Sequence, residues 1–183
     1  MIKLDRIYTR GGDEGKTSLG DGSRVSKDHP RIAALSAVEE ANSVLGVARL
    51  HTGDSPLDHI LARVQNELFD LGADLATPPA EGESRLRLTD AYVAALERDI
   101  DAMSARQAPL TSFVLPGGTP AAAHLHLART VVRRAELAVV SAIEQGEDIG
   151  SPVLRYLNRL SDLLFVLARA YNEDEALWLP GGE

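Results

Sequence analysis

The chain has 183 residues, 44% of them hydrophobic but only 4% aromatic, which suits one globular domain with a core of Leu, Val, Ile and Ala and leans toward helix. It contains no cysteine, so disulfides, zinc–thiolate sites, iron–sulfur clusters and cysteine nucleophiles are excluded. A net charge of −8 argues against non-specific nucleic-acid binding, no apolar run approaches the roughly 20 residues that span a bilayer, and the opening MIKLDRIYTRGGDEG has no apolar signal core, so the expectation is a cytoplasmic protein with neither nucleic-acid nor membrane partner.

Residues 1–29 are rich in Gly, Asp, Ser, Thr and Lys and have no helical period; they read as a loop, either ordered or a flexible polar terminus. Within them TRGGDEGKTSLGDG, at 9–22, contains Gly15-Lys16-Thr17, but Arg10 stands where a P-loop needs its first glycine and SLGDG follows where a P-loop needs a helix. The ingredients still suit phosphate. Glycines let backbone N–H groups approach an anion, Thr9, Thr17 and Ser18 add hydroxyls, Lys16 and Lys27 add charge, and Asp13 and Asp21 can help hold Mg²⁺.

From Pro30 a helical period sets in. Ile32, Leu35, Val38, Val44, Leu45 and Ala48 form one apolar stripe, closed by Thr52-Gly53-Asp54-Ser55-Pro56. A second stripe, Ile60, Leu61, Val64, Leu68, Leu71 and Leu75, stops at Pro78-Pro79, and 78–88 form a polar loop. A third helix starts at Thr89 as N-cap and buries Val93, Leu96, Ile100 and Met103. After the punctuated stretch 107–120, Thr119 caps a fourth helix with Pro120 at its first position, running to about Gln145 with Gly146 as its stop. Ser151-Pro152 repeats the start signal for a fifth, which carries Val153, Leu154, Leu157, Leu160, Leu164, Leu167 and Tyr171. No alternating strand segment stands out. The predicted fold is all-α: a bundle of five helices over 30–175, preceded by an ordered Gly-rich loop over 1–29, in one domain spanning 1–183.

Two helices carry polar stripes. Arg129, Arg133 and Glu136 share one face of the fourth helix, and Arg134 points about a quarter turn away. Such a fork of guanidiniums suits a polyphosphate, and Glu136 can orient an arginine or accept from a ribose hydroxyl; a structural ion pair on a solvated face is the alternative. Asn158 and Asp162 share a face of the leucine-rich fifth helix, whose interior disfavours both residue types, so they mark a seam toward a ligand or a neighbouring helix. On the first helix, Glu39 can pair with Arg129 or Arg133 across the bundle or across a subunit contact. The five histidines show no metal-ligand spacing, and no protein-only metal site is expected.

Four stretches in order along the chain, YTRGGDEGKTSLGDGSRVSKDHPR at 8–31, SAVEEANSVLG at 36–46, FVLPGG with RTVVRRAE within 113–136, and YLNRLSDLLFVLAR at 156–169, together resemble the PduO-type ATP:cob(I)alamin adenosyltransferases. The resemblance implies a five-helix bundle that assembles as a homotrimer, with ATP at the subunit boundary under the N-terminal loop. It places Thr9, Arg10, Gly11, Gly12, Thr17, Ser18 and Lys27 on the loop side of ATP, and Arg133, Arg134, Glu136 and Asn158 on the helical side. It pairs Glu39 with Arg129 at the subunit contact, sets Phe113 against the lower face of the corrin, and matches Asp162 to a polar position on the corrinoid side.

The implied reaction moves the 5′-deoxyadenosyl group of ATP to Co(I) of a reduced corrinoid, with Mg²⁺ accompanying ATP. Arg133 and Phe113 would be its catalytic residues. A flavoprotein reductant and an adenosylcobalamin-dependent enzyme are the implied partners. Two positions depart from the family pattern: Glu39 stands where Asp is usual, and Leu137 where a third arginine is usual. A non-catalytic carrier of ATP or corrinoid, and a purely structural helical oligomer, are the competing readings.

Overall fold

A computed structural model of the chain describes residues 7–80, 85–172 and 174–182. Its five helices are α1 (Pro30–Arg49), α2 (Pro56–Ala76), α3 (Asp90–Ser104), α4 (Pro120–Glu144) and α5 (Ser151–Ala170). Local chemistry explains most of their limits. Thr119 Oγ1 accepts from the Ala122 N–H at 3.2 Å, and Pro120 supplies a preset φ, so α4 starts where predicted. Gly146, at φ +94°, ends it in a conformation that favours glycine. Ser55 does more than close α1: its Oγ accepts from the Asp58 N–H at 3.1 Å and starts α2. At α5 the cap position falls on Gly150 rather than Ser151, and Thr89 occupies the cap position of α3 without a side-chain bond.

The helical bundle carries one small addition that no alternating pattern announced. Lys16–Ser18 (β1) and Arg24–Ser26 (β2) pair antiparallel, with Thr17 opposite Val25. Strands of three residues are too short for an alternating pattern to be read. The turn between them is set by Asp21, whose carboxylate accepts from the Ser23 N–H at 2.9 Å and from the Ser23 hydroxyl at 2.7 Å, followed through Gly22 at φ +87°.

The most extensive packing is between α1 and α4; α5 lies against α4, α2 against α1, and α3 against α5. Ala34, Ala41 and Ala48 on α1, and Ala128, Ala135 and Ala142 on α4, recur every seventh residue and are fully buried. Small side chains at this spacing let two helices approach closely along a single seam. Leucines 61, 71, 96, 125, 157, 160 and 164 fill the remainder of the core. Ile100 and Met103, expected inside, are only partly buried against it.

Two buried polar ties fix how the elements meet. Arg31, 2% exposed, donates to Glu147 Oε2 at 2.7 Å, to the Leu75 carbonyl at 3.1 Å and to the Asp148 carbonyl at 2.7 Å. One guanidinium thereby joins the start of α1, the end of α2 and the α4–α5 connection. Tyr156 donates to Glu67 Oε2 at 2.7 Å while Arg63 holds the other oxygen at 2.6 Å. Burial, then the Glu67 charge, pushes the Tyr156 hydroxyl well above its usual pKa, so it stays a donor. The hairpin docks on this frame through the Gly20 N–H, which donates to the Ala76 carbonyl at 2.7 Å.

Candidate functional site

Where α4 faces α5, Thr130, Arg133, Arg134, Glu136, Leu137, Val140 and Asn158 line a trough of about 340 Å³. Four of these are the helical residues marked from sequence. Asn158 is the bridge: its Nδ2 donates to Glu136 Oε1 at 2.9 Å, and its Oδ1 accepts from Arg159 at 2.7 Å. Arg159 is itself tied to Glu97 of α3 at 3.0 Å, so the amide is held in one orientation. Arg134 pairs with Glu40 of α1 at 2.5 Å, an exposed pair worth little by itself. Arg133 makes no side-chain hydrogen bond or ion pair among the described residues. A cation left unpaired in a recess, beside a fixed amide and a fixed carboxylate, is suited to an incoming anion.

The loop residues also gather, but elsewhere. Thr9 Oγ1 accepts from the Gly11 N–H at 3.4 Å. Arg10 has φ +61°, a strained setting for an arginine, and its guanidinium lies 5.8 Å from the Tyr8 ring. A side chain at Gly12 would meet Lys27 Nζ at 3.0 Å, so the ammonium lies close over the loop backbone there. The Lys27 N–H donates to the Gly15 carbonyl at 2.9 Å. Arg24, noticeable in the sequence only as one of the cations gathered over residues 9–27, organises the group by donating to the Gly11 carbonyl at 2.5 Å and to Ser18 Oγ at 3.3 Å. Its partners lie 6 and 13 residues away, so only the folded hairpin reveals it. Asp21 is committed to Ser23, and those hydrogen bonds hold its carboxyl below the usual range, whereas Asp13 is exposed. No hairpin residue lines the α4–α5 trough.

The remaining marked residues are dispersed. Phe113 is 76% exposed, 6.0 Å from the Trp178 ring, and its carbonyl accepts from the Trp178 N–H at 2.7 Å. Together with the Val114–Leu177 bridge, this ties the segment before α4 to the C-terminal residues. Asp162 is exposed and outside the trough lining. Glu39 does not pair with Arg129 or Arg133 across the bundle: it lines a groove of about 650 Å³ between α1 and α2 with Leu35, Asn42, Gln65 and Phe69. Glu40, one residue on, is the carboxylate aimed at α4. Arg129 lies over the Phe165 ring at 6.0 Å, its buried Nε without a partner.

The fold and trough define a helical-bundle protein with a recess between α4 and α5 that presents an arginine beside a fixed amide and carboxylate. The chain belongs to the cobalamin adenosyltransferase family, whose model matches residues 7–171. It is 47% identical over 187 residues to the corrinoid adenosyltransferase of Mycobacterium tuberculosis, covering 100% of this chain and 97% of that one. It is 43% identical over 171 residues to the corrinoid adenosyltransferase of Bacillus subtilis, covering 91% and 86%. Among solved structures it is similar to a phenylalanine-to-alanine variant of the PduO-type ATP:corrinoid adenosyltransferase of Lactobacillus reuteri complexed with cobalamin and ATP. That match has TM-score 0.88 at 35% identity and covers 94% of this chain and 99% of that one. An arginine-to-lysine variant of the same protein, complexed with ATP, matches with TM-score 0.83.

Proposed function

We infer that this chain transfers the 5′-deoxyadenosyl group of ATP to Co(I) of a reduced corrinoid, giving adenosylcobalamin and triphosphate. Beside family membership, one observation carries the reading: Arg133 stands without a counter-ion among the described residues, in a trough where Glu136 and Asn158 are already oriented. Co(I) brings its own electron pair, so the chain needs no nucleophile. That pair forms the Co–C5′ bond while the C5′–O bond breaks and its electrons leave on triphosphate. The work left to the protein is placing C5′ over cobalt and stabilising the departing charge. Arg133, with Arg134, would stabilise triphosphate; Glu136 and Asn158 would fix the nucleoside end. Thr9, Arg10, Gly11, Gly12, Thr17, Ser18 and Lys27 would cover it. Phe113 would meet the corrin's lower face and displace the lower axial ligand, which makes Co(II) easier to reduce. Asp162 would lie on the corrinoid side.

The hairpin and the trough lie on different parts of one chain, which supports a site completed between copies, as in a homotrimer. The pairing of Glu39 with Arg129 of another copy is supported by the same facts: neither has an ionic partner among the described residues of its own chain, and Glu39 borders a groove with Phe69, 73% exposed. Mg²⁺ fits as an ion carried by the phosphates, which supply most of its ligands; Asp13 is an exposed loop carboxylate that would join them, and the ion would offset triphosphate charge. We further propose a single functional domain over 1–183, a cytoplasmic setting, a flavoprotein that supplies the electron for Co(I), and an adenosylcobalamin-dependent enzyme that takes the product. The deciding experiment is to add chemically reduced cobalamin, ATP and Mg²⁺ and follow the Co(I) absorbance. Its loss with formation of adenosylcobalamin is the expected result. Bound ATP without turnover would make the chain a carrier and direct attention to Glu39 and Leu137.

A further inference from the structure

His126 on α4 is 2% exposed, and neither ring nitrogen has a hydrogen-bond partner among the described residues. Burial, then the charge of Arg129, holds the imidazole below its ordinary pKa, with Glu175 acting the other way. The ring is therefore neutral near pH 7, with one N–H donor and one acceptor. Leaving both unmade is costly, and an apolar side chain would fill the same space against Phe165 without that cost. Packing alone does not account for a histidine at this position.

The ring forms part of the wall of a recess of about 260 Å³, with Pro116, Gly117, Ala123, Leu127 and Thr130. Thr130 also lines the α4–α5 trough, so the two recesses adjoin along α4. On the other side, Pro116 and Gly117 continue the segment that carries Phe113. The recess thus lies between the side chains assigned to triphosphate and the one assigned to the corrin face. The two ligands differ in what they offer a neutral imidazole. Triphosphate presents acceptors alone. The rim of a corrin presents primary carboxamides, each of which both donates and accepts, so either tautomer finds a match.

We propose that His126 hydrogen-bonds a peripheral carboxamide of the corrinoid and so sets the rotation of the macrocycle over Phe113; this rests on the adenosyl-transfer reading above. Both ring nitrogens are buried in the free chain, so this contact requires the ring to turn about its side-chain bonds when the corrinoid enters. The test measures KM for cob(I)alamin and KM for ATP separately in the parent, His126→Leu and His126→Gln, together with melting temperature and oligomeric state. In His126→Leu the corrinoid KM rises about 10- to 100-fold, the ATP KM stays within about twofold and the melting temperature does not fall. His126→Gln, which keeps a donor and an acceptor, recovers most of the loss; should the leucine variant not fold, His126→Met, equally without a ring nitrogen, takes its place. An unchanged corrinoid KM in His126→Leu overturns the proposal, as does a corrinoid KM in His126→Gln raised as far as in His126→Leu, or a lowered melting temperature with both KM values intact, which would mark an internal water or packing role. A rise in both KM values with a changed oligomeric state also overturns it and places His126 against another copy. Inactivity of the parent would instead remove the adenosyl-transfer reading itself.

Discussion

The helical bundle and the N-terminal hairpin are held together by different means. In the bundle, leucine and alanine seams are fully buried, and arginines with several acceptors lock the helix ends. In residues 7–29 only Leu19 is buried, and the shape depends on exposed hydrogen bonds from Arg24, Asp21 and the glycine backbone. The trough on α4 and α5 therefore stands on a packed helical frame. The hairpin can open at little cost, as a segment that must admit and cover a ligand should. The contrast implies that substitutions in one region separate chemistry from stability, and those in the other separate binding from both.

The sharpest break comes from Arg133→Ala. Removing an exposed, unpaired cation should leave the bundle within about 0.5 kcal/mol of the parent, while transfer falls at least about 10²–10³-fold. Single-turnover adenosylation beside a thermal melt checks both halves, and unchanged activity would refute the site assignment. Arg31→Ala should act in the opposite sense. Loss of the buried guanidinium strands Glu147 and two carbonyls, costing about 3–5 kcal/mol in urea unfolding.

Arg24→Ala should sharpen the comparison rather than break it. Freeing the Gly11 carbonyl and Ser18 hydroxyl loosens the cover, so KM for ATP rises about tenfold with the melting temperature unmoved. The smallest effect concerns acid. Arg49 holds Asp58 through two bonds of 2.9 and 2.7 Å, Thr52 adds one of 2.6 Å, and the carboxyl is lowered to about 2. A lowered carboxyl stabilises the fold above its unfolded value of about 3.9, and that stability is lost as pH falls toward 2. Urea midpoints taken down this range should fall more steeply in the parent than in Asp58→Asn.

The helices were legible because their signals are local. Thr119-Pro120 and Gly146 announce both ends of α4, and leucine spacing marks the buried faces. The α4 and α5 site residues were legible for the same reason: a helix turns spacing into a shared face. What escaped depends on distance along the chain. Arg31 reads as an ordinary surface cation until partners 44 and more than 100 residues away enclose it. Glu39 and Glu40 are indistinguishable by composition, and only the rotation of α1 against α4 selects Glu40 for Arg134. The hairpin, and with it the organising role of Arg24, escaped because three-residue strands carry no period. His126 was set aside for lacking metal spacing, although its burial without partners is what gives it interest.

The bridge between the Phe113 segment and the C-terminal residues has a practical consequence. It brings the chain's single tryptophan, Trp178, within 6.0 Å of the Phe113 ring. The molecule thereby carries its own optical reporter beside the aromatic assigned to the corrin. A strongly absorbing macrocycle settling on Phe113 would quench that indole, so arrival and departure of the second substrate can be timed by intrinsic fluorescence, without a label.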